Sequence, residues 1–182
     1  FILAIVNLLI NELGIYDAPF LKKLTNAPYL IGGNGEYVRD AKTGVPMLWD
    51  AVDGVAKPWN ATVGDAALFG KYQVQGQEVQ PAFQVISDQV SQYTPEEAAQ
   101  VTTISASTIR RIAKEFGEAA AVGATITLDG EQLPHRPASI TWYRGLSSHK
   151  HAFLNGFAAM LLQTVIGGLD VPGGLMGYHR RT

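Results

Sequence analysis

The stretch Ile140-Thr-Trp-Tyr-Arg-Gly-Leu-Ser-Ser-His-Lys-His151, followed by an apolar run to Gly174, most constrains the fold of this chain. Its opening residues are β-branched or aromatic, which favours a buried strand. Gly145 permits a sharp turn or the close approach of a ligand, and Ser147 or Ser148 suits the N-cap of a following helix. The sequence therefore predicts a strand, a glycine turn and a helix in direct succession.

The predicted helix covers about residues 151–165 and has a broad apolar face. We expect it to end at Gly167-Gly168, and Pro172-Gly-Gly174 prevents its continuation. A strand, a turn and a helix N-terminus would direct free N–H groups and the positive end of the helix dipole at one point, which makes an anion-binding corner. The pattern alone favours the simpler interpretation, in which this is one βα unit of an ordinary core.

Composition excludes several function classes. The chain has 182 residues, a net charge of −2 and no cysteine. Without a basic surface, binding of nucleic acid or an acidic membrane is not expected. Without cysteine, this chain itself can form no disulfide, bind no iron–sulfur cluster and carry out no thiol catalysis. The apolar run Phe1–Leu13 is too short to span a bilayer. It predicts a helix that needs cover on most sides, so we expect the sequence to be an internal piece of a longer chain.

The remaining patterns divide the chain into four parts. Closely spaced turn signals predict β-hairpins in residues 31–80, as a lobe or insertion. Helices are expected in residues 81–122, where Thr94, Pro95 and Glu97 form a capping box. We expect residues 1–30 to be a helical part of an α/β domain and residues 123–182 to be a βα segment. The predicted class is α/β, with Rossmann-like βα units and a β-hairpin insertion.

Charged clusters elsewhere leave alternatives open. Three aspartates in turns, at positions 40, 50 and 53, could bind calcium, but their spacing does not match an EF-hand and solvated turn carboxylates fit better. The cluster Arg110-Arg111 with Lys114 could bind phosphate, but a solvated helix face fits better. The chain lacks the His-x-x-x-His, Gly-x-Ser-x-Gly and Walker patterns. From the residues alone we therefore assign no catalytic residue and expect no metal site made by this chain alone.

The order of several motifs resembles the molybdopterin oxidoreductases of the dimethyl sulfoxide reductase family. The matching stretches are Ala4–Asp17, Tyr93–Ala99, Ile104–Ala113, Arg144–His149 and Gly168–Gly174. No single motif decides the resemblance, but the ordered set is fairly specific. It implies that the chain is the central part of a larger, multidomain molybdopterin-binding subunit.

The resemblance also implies cofactors and site residues. In this family, molybdenum or tungsten is held between two molybdopterin guanine dinucleotides. The residues that fall on the turn beside the pterin dinucleotide are Gly145, Leu146, Ser147 and Ser148. The neighbouring Arg144 and His149 would contact the cofactor, line the substrate funnel or be structural residues. The iron–sulfur cysteines and the protein ligand of the metal would lie outside this chain, which would be inactive alone. The implied partners are an iron–sulfur electron-transfer subunit, together with the rest of the catalytic subunit.

The implied chemistry is oxygen-atom transfer or hydroxylation of a small organic substrate. Tyr37–Asp40, Leu48–Asp50 and Pro134–Pro137 resemble the phenylacetyl-coenzyme A oxidoreductases within the family. Two alternatives remain open. One is a non-catalytic α/β domain that binds a nucleotide at the Gly145 corner, and the other is a structural subunit that docks through its first helix.

Overall fold

The computed structural model describes residues 1–148 and 150–175. The chain forms two compact units, one made of residues 1–17 with residues 90 onward and the other of residues 18–89. The elements in chain order are α1 (Ile2–Asn7), a π-helical turn (Leu8–Glu12), α2 (Ala18–Leu24), β1 (Leu30–Gly32), β2 (Met47–Asp50), β3 (Val55–Pro58), β4 (Tyr72–Val74), β5 (Gln77–Pro81), α3 (Ala82–Val90), α4 (Pro95–Thr102), α5 (Ala106–Ala119), β6 (Thr125–Leu128), β7 (Glu131–Pro134), α6 (Arg144–Ser147) and α7 (Ala152–Val165). This mixture of helices and small sheets confirms the predicted α/β class.

Helix α1 is the centre of the first unit and packs against α4, α5 and α7. Ala4, Ile5 and Val6 of α1 are buried, as are Leu8, Leu9 and Ile10 of the π-helical turn that follows it. Helix α5 comes very close, because a Cβ added to Gly117 would lie 2.7 Å from the Leu9 side chain. The helical backbone ends at Glu12, and Gly14 just after it has a left-handed conformation (φ +64°).

The predicted capping box at the start of α4 is confirmed. The Thr94 side chain accepts a hydrogen bond from the Glu97 N–H, and the Glu97 carboxylate accepts one from the Thr94 N–H. Ser105 caps α5 in the same way through the N–H of Thr108. The basic cluster of α5 is a solvated face, as its spacing favoured, because Arg110 forms ion pairs with Glu12 and Glu96 at the surface.

The second unit contains the predicted β-hairpins. Strands β1, β5 and β4 form an antiparallel three-stranded sheet in that order, and β2 pairs with β3 in a separate antiparallel hairpin. Their inward side chains form one apolar cluster, made of Leu30, Val38, Met47, Val74 and Val79. Trp49 stacks on Tyr72 with ring centroids 4.2 Å apart, so this tryptophan packs within the unit.

Three local predictions around the opening stretch were wrong. Residues Ile140–Tyr143 are not a strand, because no strand among the described residues pairs with them. The Ile140 N–H donates its hydrogen bond to the Gln163 side chain instead. Gly145 lies inside the one-turn helix α6 and not in an open turn. Helix α7 begins only at Ala152 and has no side-chain cap, while the Ser147 hydroxyl donates back to the Tyr143 carbonyl.

The segment before this stretch also differs from the prediction. Leu133 and Pro134 belong to β7, which pairs with β6 in an exposed antiparallel hairpin. The hairpin turns at Asp129-Gly130, where both residues have a left-handed φ. An antiparallel return was missed because Glu131 and Gln132 lack the β-branched or aromatic side chains that mark a strand.

Asp50 was wrongly predicted to be a solvated turn carboxylate, because the structure buries it completely. Its two oxygens accept hydrogen bonds from the N–H groups of Val52, Gly64 and Asp65, at 2.8–3.1 Å. Lys57 Nζ lies 2.7 Å from Asp50 Oδ2. The lysine, followed by these backbone donors, holds the pKa of Asp50 far below its usual range.

We expect Asp50→Asn to destabilise the second unit at pH 7 and to reduce the pH dependence of its stability. A carboxylate with a lowered folded-state pKa stabilises the fold above its unfolded-state pKa of about 4, and this contribution is lost as pH falls through the folded-state value. Urea unfolding followed by tryptophan fluorescence at pH 7, 5 and 3 measures both effects. The control is Asp129→Asn, the same change in an exposed turn. Equal midpoints for the two variants at pH 7 would contradict this role.

Candidate functional site

The predicted cofactor-contacting residues form an exposed segment between two helices. Arg144, Gly145, Ser147 and Ser148 are exposed, and Leu146 is half-buried. His149, the remaining predicted site residue, lies outside the described residues. Backbone hydrogen bonds from Leu146 N–H to the Tyr143 carbonyl (3.0 Å) and from Ser148 N–H to the Arg144 carbonyl (2.8 Å) fix the turn of α6. We call residues 144–148 the α6 segment.

The α6 segment has the chemistry of an anion-binding surface. It contains one guanidinium group and two hydroxyl groups, and no carboxylate. The Arg144 guanidinium lies 5.5 Å from the centre of the Tyr143 ring, which is 75% exposed. These donors, beside an exposed aromatic face, suit the phosphate and ring groups of a pterin dinucleotide.

Gly145 has open space beside it. A Cβ added at this position would meet no atom of the chain within 4 Å, and its φ is not in the left-handed region. The fold of the chain itself therefore does not require glycine here. The open position leaves the backbone accessible to a ligand. Close approach of a ligand is the property that the sequence indicated for Gly145.

Gln163 is the buried residue that holds the backbone leading to the α6 segment. Its side chain is fully removed from solvent, inside α7. Its Oε1 accepts a hydrogen bond from the Ile140 N–H at 3.1 Å. Its Nε2 donates to the carbonyls of Ala138 (3.2 Å) and Gly168 (3.0 Å). One amide therefore joins the residues before the α6 segment to the end of α7.

A buried ion pair supports the same region. Arg136 and Asp17 have side chains only 4% and 7% exposed, with 2.5 Å between Nη2 and Oδ2. The guanidinium also donates to the carbonyls of Ile166 (3.1 Å) and Ala124 (3.0 Å). The Arg136 charge is therefore paired with a carboxylate and also hydrogen-bonded to carbonyl oxygens, as a buried arginine requires.

The Pro-Gly-Gly loop is packed directly against this backbone. The Arg136 N–H donates to the Pro172 carbonyl at 3.0 Å. A Cβ added to Gly173 would lie 2.9 Å from the Pro137 Cα, and one added to Gly174 would lie too close to the Gly168 carbonyl. These glycines are therefore needed because backbone meets backbone, with no space for a side chain.

Sequence analysis missed Arg136, Asp17 and Gln163 as members of one buried group. A signal for Gln163 was present, because it is a polar residue within an otherwise apolar run in the last turns of α7. A buried position with that pattern requires hydrogen-bond partners, although their identity is not visible in sequence.

Exposed apolar side chains flank the α6 segment on α7. Phe153, Leu154 and Phe157 are 63–78% exposed, and the two phenylalanine rings stack at 5.8 Å. A groove of about 530 Å³ lies beside them, lined by residues of α1, α4 and α7 together with Leu146. Among the described residues there is no group of three or more histidine, aspartate or glutamate residues placed to hold a metal ion. No described helix has the length and apolarity to cross a bilayer.

Comparison with known proteins gives consistent relatives. The chain is 32% identical to a sulfite dehydrogenase subunit of Allochromatium vinosum over 95% of its own length, and 29% identical to the alpha subunit of dimethylsulfide dehydrogenase from Rhodovulum sulfidophilum over 64%. It is 28% identical to the alpha subunit of chlorate reductase from Ideonella dechloratans over 65%. The chain matches part of a catalytic subunit of the dimethyl sulfoxide reductase family.

The match covers a minor share of each of these proteins. The chain spans 20% of the length of the sulfite dehydrogenase relative, and 15% of each of the other two. No family model matches the chain. The resemblance to molybdopterin oxidoreductases seen in the motifs is confirmed by these relatives.

Proposed function

We propose that this chain is the central cofactor-binding portion of a molybdenum or tungsten oxidoreductase catalytic subunit that holds two molybdopterin guanine dinucleotides. The observation that carries the proposal is the α6 segment, an exposed turn that is rich in donors, lacks carboxylates and is anchored by buried polar side chains. It occurs in a chain that matches a molybdopterin oxidoreductase subunit over 95% of its length.

The residues of the chain have defined roles in this proposal. Arg144 pairs with a phosphate or an acidic edge of the dinucleotide, Ser148 donates a hydrogen bond to it, and Ser147 exchanges its hydrogen bond to the Tyr143 carbonyl for one to the ligand. Gly145 keeps the backbone open to the ligand. The metal, when bound, supplies the redox chemistry, and the protein supplies binding, orientation and electrostatics. Catalytic residues and metal ligands are assigned to other parts of the subunit.

The names of the relatives favour one reaction class for the parent enzyme. They refer to sulfite, dimethylsulfide, chlorate and perchlorate. Sulfur compounds and chlorine oxyanions are interconverted by gain or loss of one oxygen atom with two electrons. We therefore propose oxygen-atom transfer in preference to hydroxylation of an organic acyl substrate. The relatives are named as subunits, which supports a partner subunit, and we propose an iron–sulfur electron-transfer protein in that role.

Intact mass and metal analysis of the native polypeptide test this proposal. We expect a chain several times longer than 182 residues that contains molybdenum or tungsten together with pterin. A native mass near 19.6 kDa without metal would overturn it. That result would favour the non-catalytic nucleotide-binding or structural subunit.

A further inference from the structure

We infer that Gln163 is a positioning residue for the cofactor, because its buried amide fixes the backbone that presents the α6 segment. The inference rests on the proposed function, since it assigns a role to the same site. Gln163 does not touch the α6 segment through any described contact. It acts through Ala138 and Ile140, which precede that segment in the chain.

The first argument is that the backbone at residues 138–140 lacks the support that a sheet would give. This stretch is irregular and has no partner strand. The Gln163 side chain supplies the hydrogen bonds that a neighbouring strand would otherwise make, one to the Ile140 N–H and one to the Ala138 carbonyl. The position of the following residues therefore depends on one side chain.

The second argument is that Gln163 itself is rigidly held. It lies on α7, and its third hydrogen bond goes to Gly168, just after the helix end. A Cβ added to Gly168 would collide with the Gln163 amide, so the glycine provides the space in which this amide sits. Because all its polar side-chain atoms have partners, the amide has one preferred orientation.

The third argument is that an apolar residue would serve the core equally well. Leu162 and Val165 are buried neighbours of Gln163 on the same helix. Burying an amide among them costs free energy unless every hydrogen bond is formed. A leucine at position 163 would avoid that cost but would leave the Ile140 N–H and two carbonyls without their partner. The amide therefore fits a role in holding the adjoining backbone in place.

The experiment uses the full-length catalytic subunit that contains this chain, with Gln163→Leu as the main variant. Hydrogen–deuterium exchange of peptides covering residues 137–148 reports the mobility of the backbone, and pterin and metal content report cofactor retention. We expect amides in this stretch to exchange about tenfold faster in the variant, the effect of losing about one hydrogen bond. We also expect its cofactor content to fall.

The matched control is Asn7→Leu. Asn7 is also buried in the first unit, and its side chain donates to the Tyr93 carbonyl (3.2 Å) and accepts from Asn11 (2.8 Å), away from residues 138–140. We expect this control to lower thermal stability while leaving exchange at 137–148 and cofactor content unchanged. Equal loosening or equal cofactor loss in both variants would overturn the positioning role.

A second variant, Gln163→Glu, is included in case Gln163→Leu does not fold. Gln163→Glu keeps the shape, and burial against two carbonyl oxygens favours its neutral acid form, which retains the acceptor for the Ile140 N–H and donates to only one of the Ala138 and Gly168 carbonyls. We expect it to lose less cofactor than Gln163→Leu. Faster exchange with full cofactor content in either variant, or unchanged exchange in both, would overturn the inference.

Failure of the proposed function gives a different result. It would appear in the wild-type enzyme as equal exchange of residues 144–148 with and without bound cofactor.

Discussion

Arg136→Met is expected to destabilise the chain by about 3–5 kcal/mol, because it removes one partner of a buried ion pair and leaves the other charge uncompensated. Asp17 is only 7% exposed at its side chain, so water cannot replace the lost guanidinium. The variant also leaves the Ile166 and Ala124 carbonyls without a donor. Urea unfolding followed by circular dichroism measures the difference in the free energy of unfolding.

Two further variants distinguish the effect of breaking the buried ion pair from the effect of losing an arginine side chain in general. Arg111→Met breaks the surface pair with Glu115, where both side chains are about 60% exposed, and we expect it to cost about 0–1 kcal/mol. The double variant Asp17→Leu with Arg136→Met removes both buried charges, so it should be less destabilised than Arg136→Met alone. A cost for Arg136→Met no larger than that of Arg111→Met would show that the buried pair contributes little.

Gly145→Val is expected to abolish retention of the pterin dinucleotide in the parent enzyme while leaving the subunit folded. The structure separates these two outcomes, because a Cβ added at this position would meet no other part of the chain within 4 Å. Crowding would therefore act only on a ligand that approaches the α6 segment. Pterin and metal analysis of the purified enzyme, with its melting temperature, measures both outcomes.

A matched glycine is available as the control for this substitution. Gly33 is exposed, has no atom within 4 Å of an added Cβ and has no left-handed φ. We expect Gly33→Val, in the second unit and outside the α6 segment, to retain full cofactor content. Unchanged cofactor content in Gly145→Val would refute the placement of the dinucleotide beside the α6 segment.

Much of the secondary structure followed from local signals. The capping box at Thr94 and the turn residues of the second unit depend on neighbours in sequence, so their outcome could be predicted without knowledge of the tertiary fold. Asp50 shows the limit of this approach. As a residue beside a turn it matched a solvated carboxylate, but Lys57 and three backbone donors brought together by the fold bury it.

The strand prediction for residues 140–143 was wrong for a related reason. Ile140–Tyr143 has strand-like residues, but a strand needs a partner, and in the structure the Ile140 N–H donates to Gln163 at the far end of the next long helix. Residue composition cannot reveal such a pairing, because it is made by one side chain across 23 positions. For the α6 segment, sequence resemblance identified the residues, and the structure added their exposure and the buried group that supports them.

The ion pair between Asp17 and Arg136 joins residues 119 positions apart, and the whole second unit lies between them in the chain. During synthesis, Asp17 leaves the ribosome long before its partner exists. Residues 18–89 are complete before then and are free to fold in the meantime, because domains generally fold as units as they emerge. The first unit therefore begins before the second in translation but closes after it, and its Asp17–Arg136 ion pair forms only once residue 136 has been made.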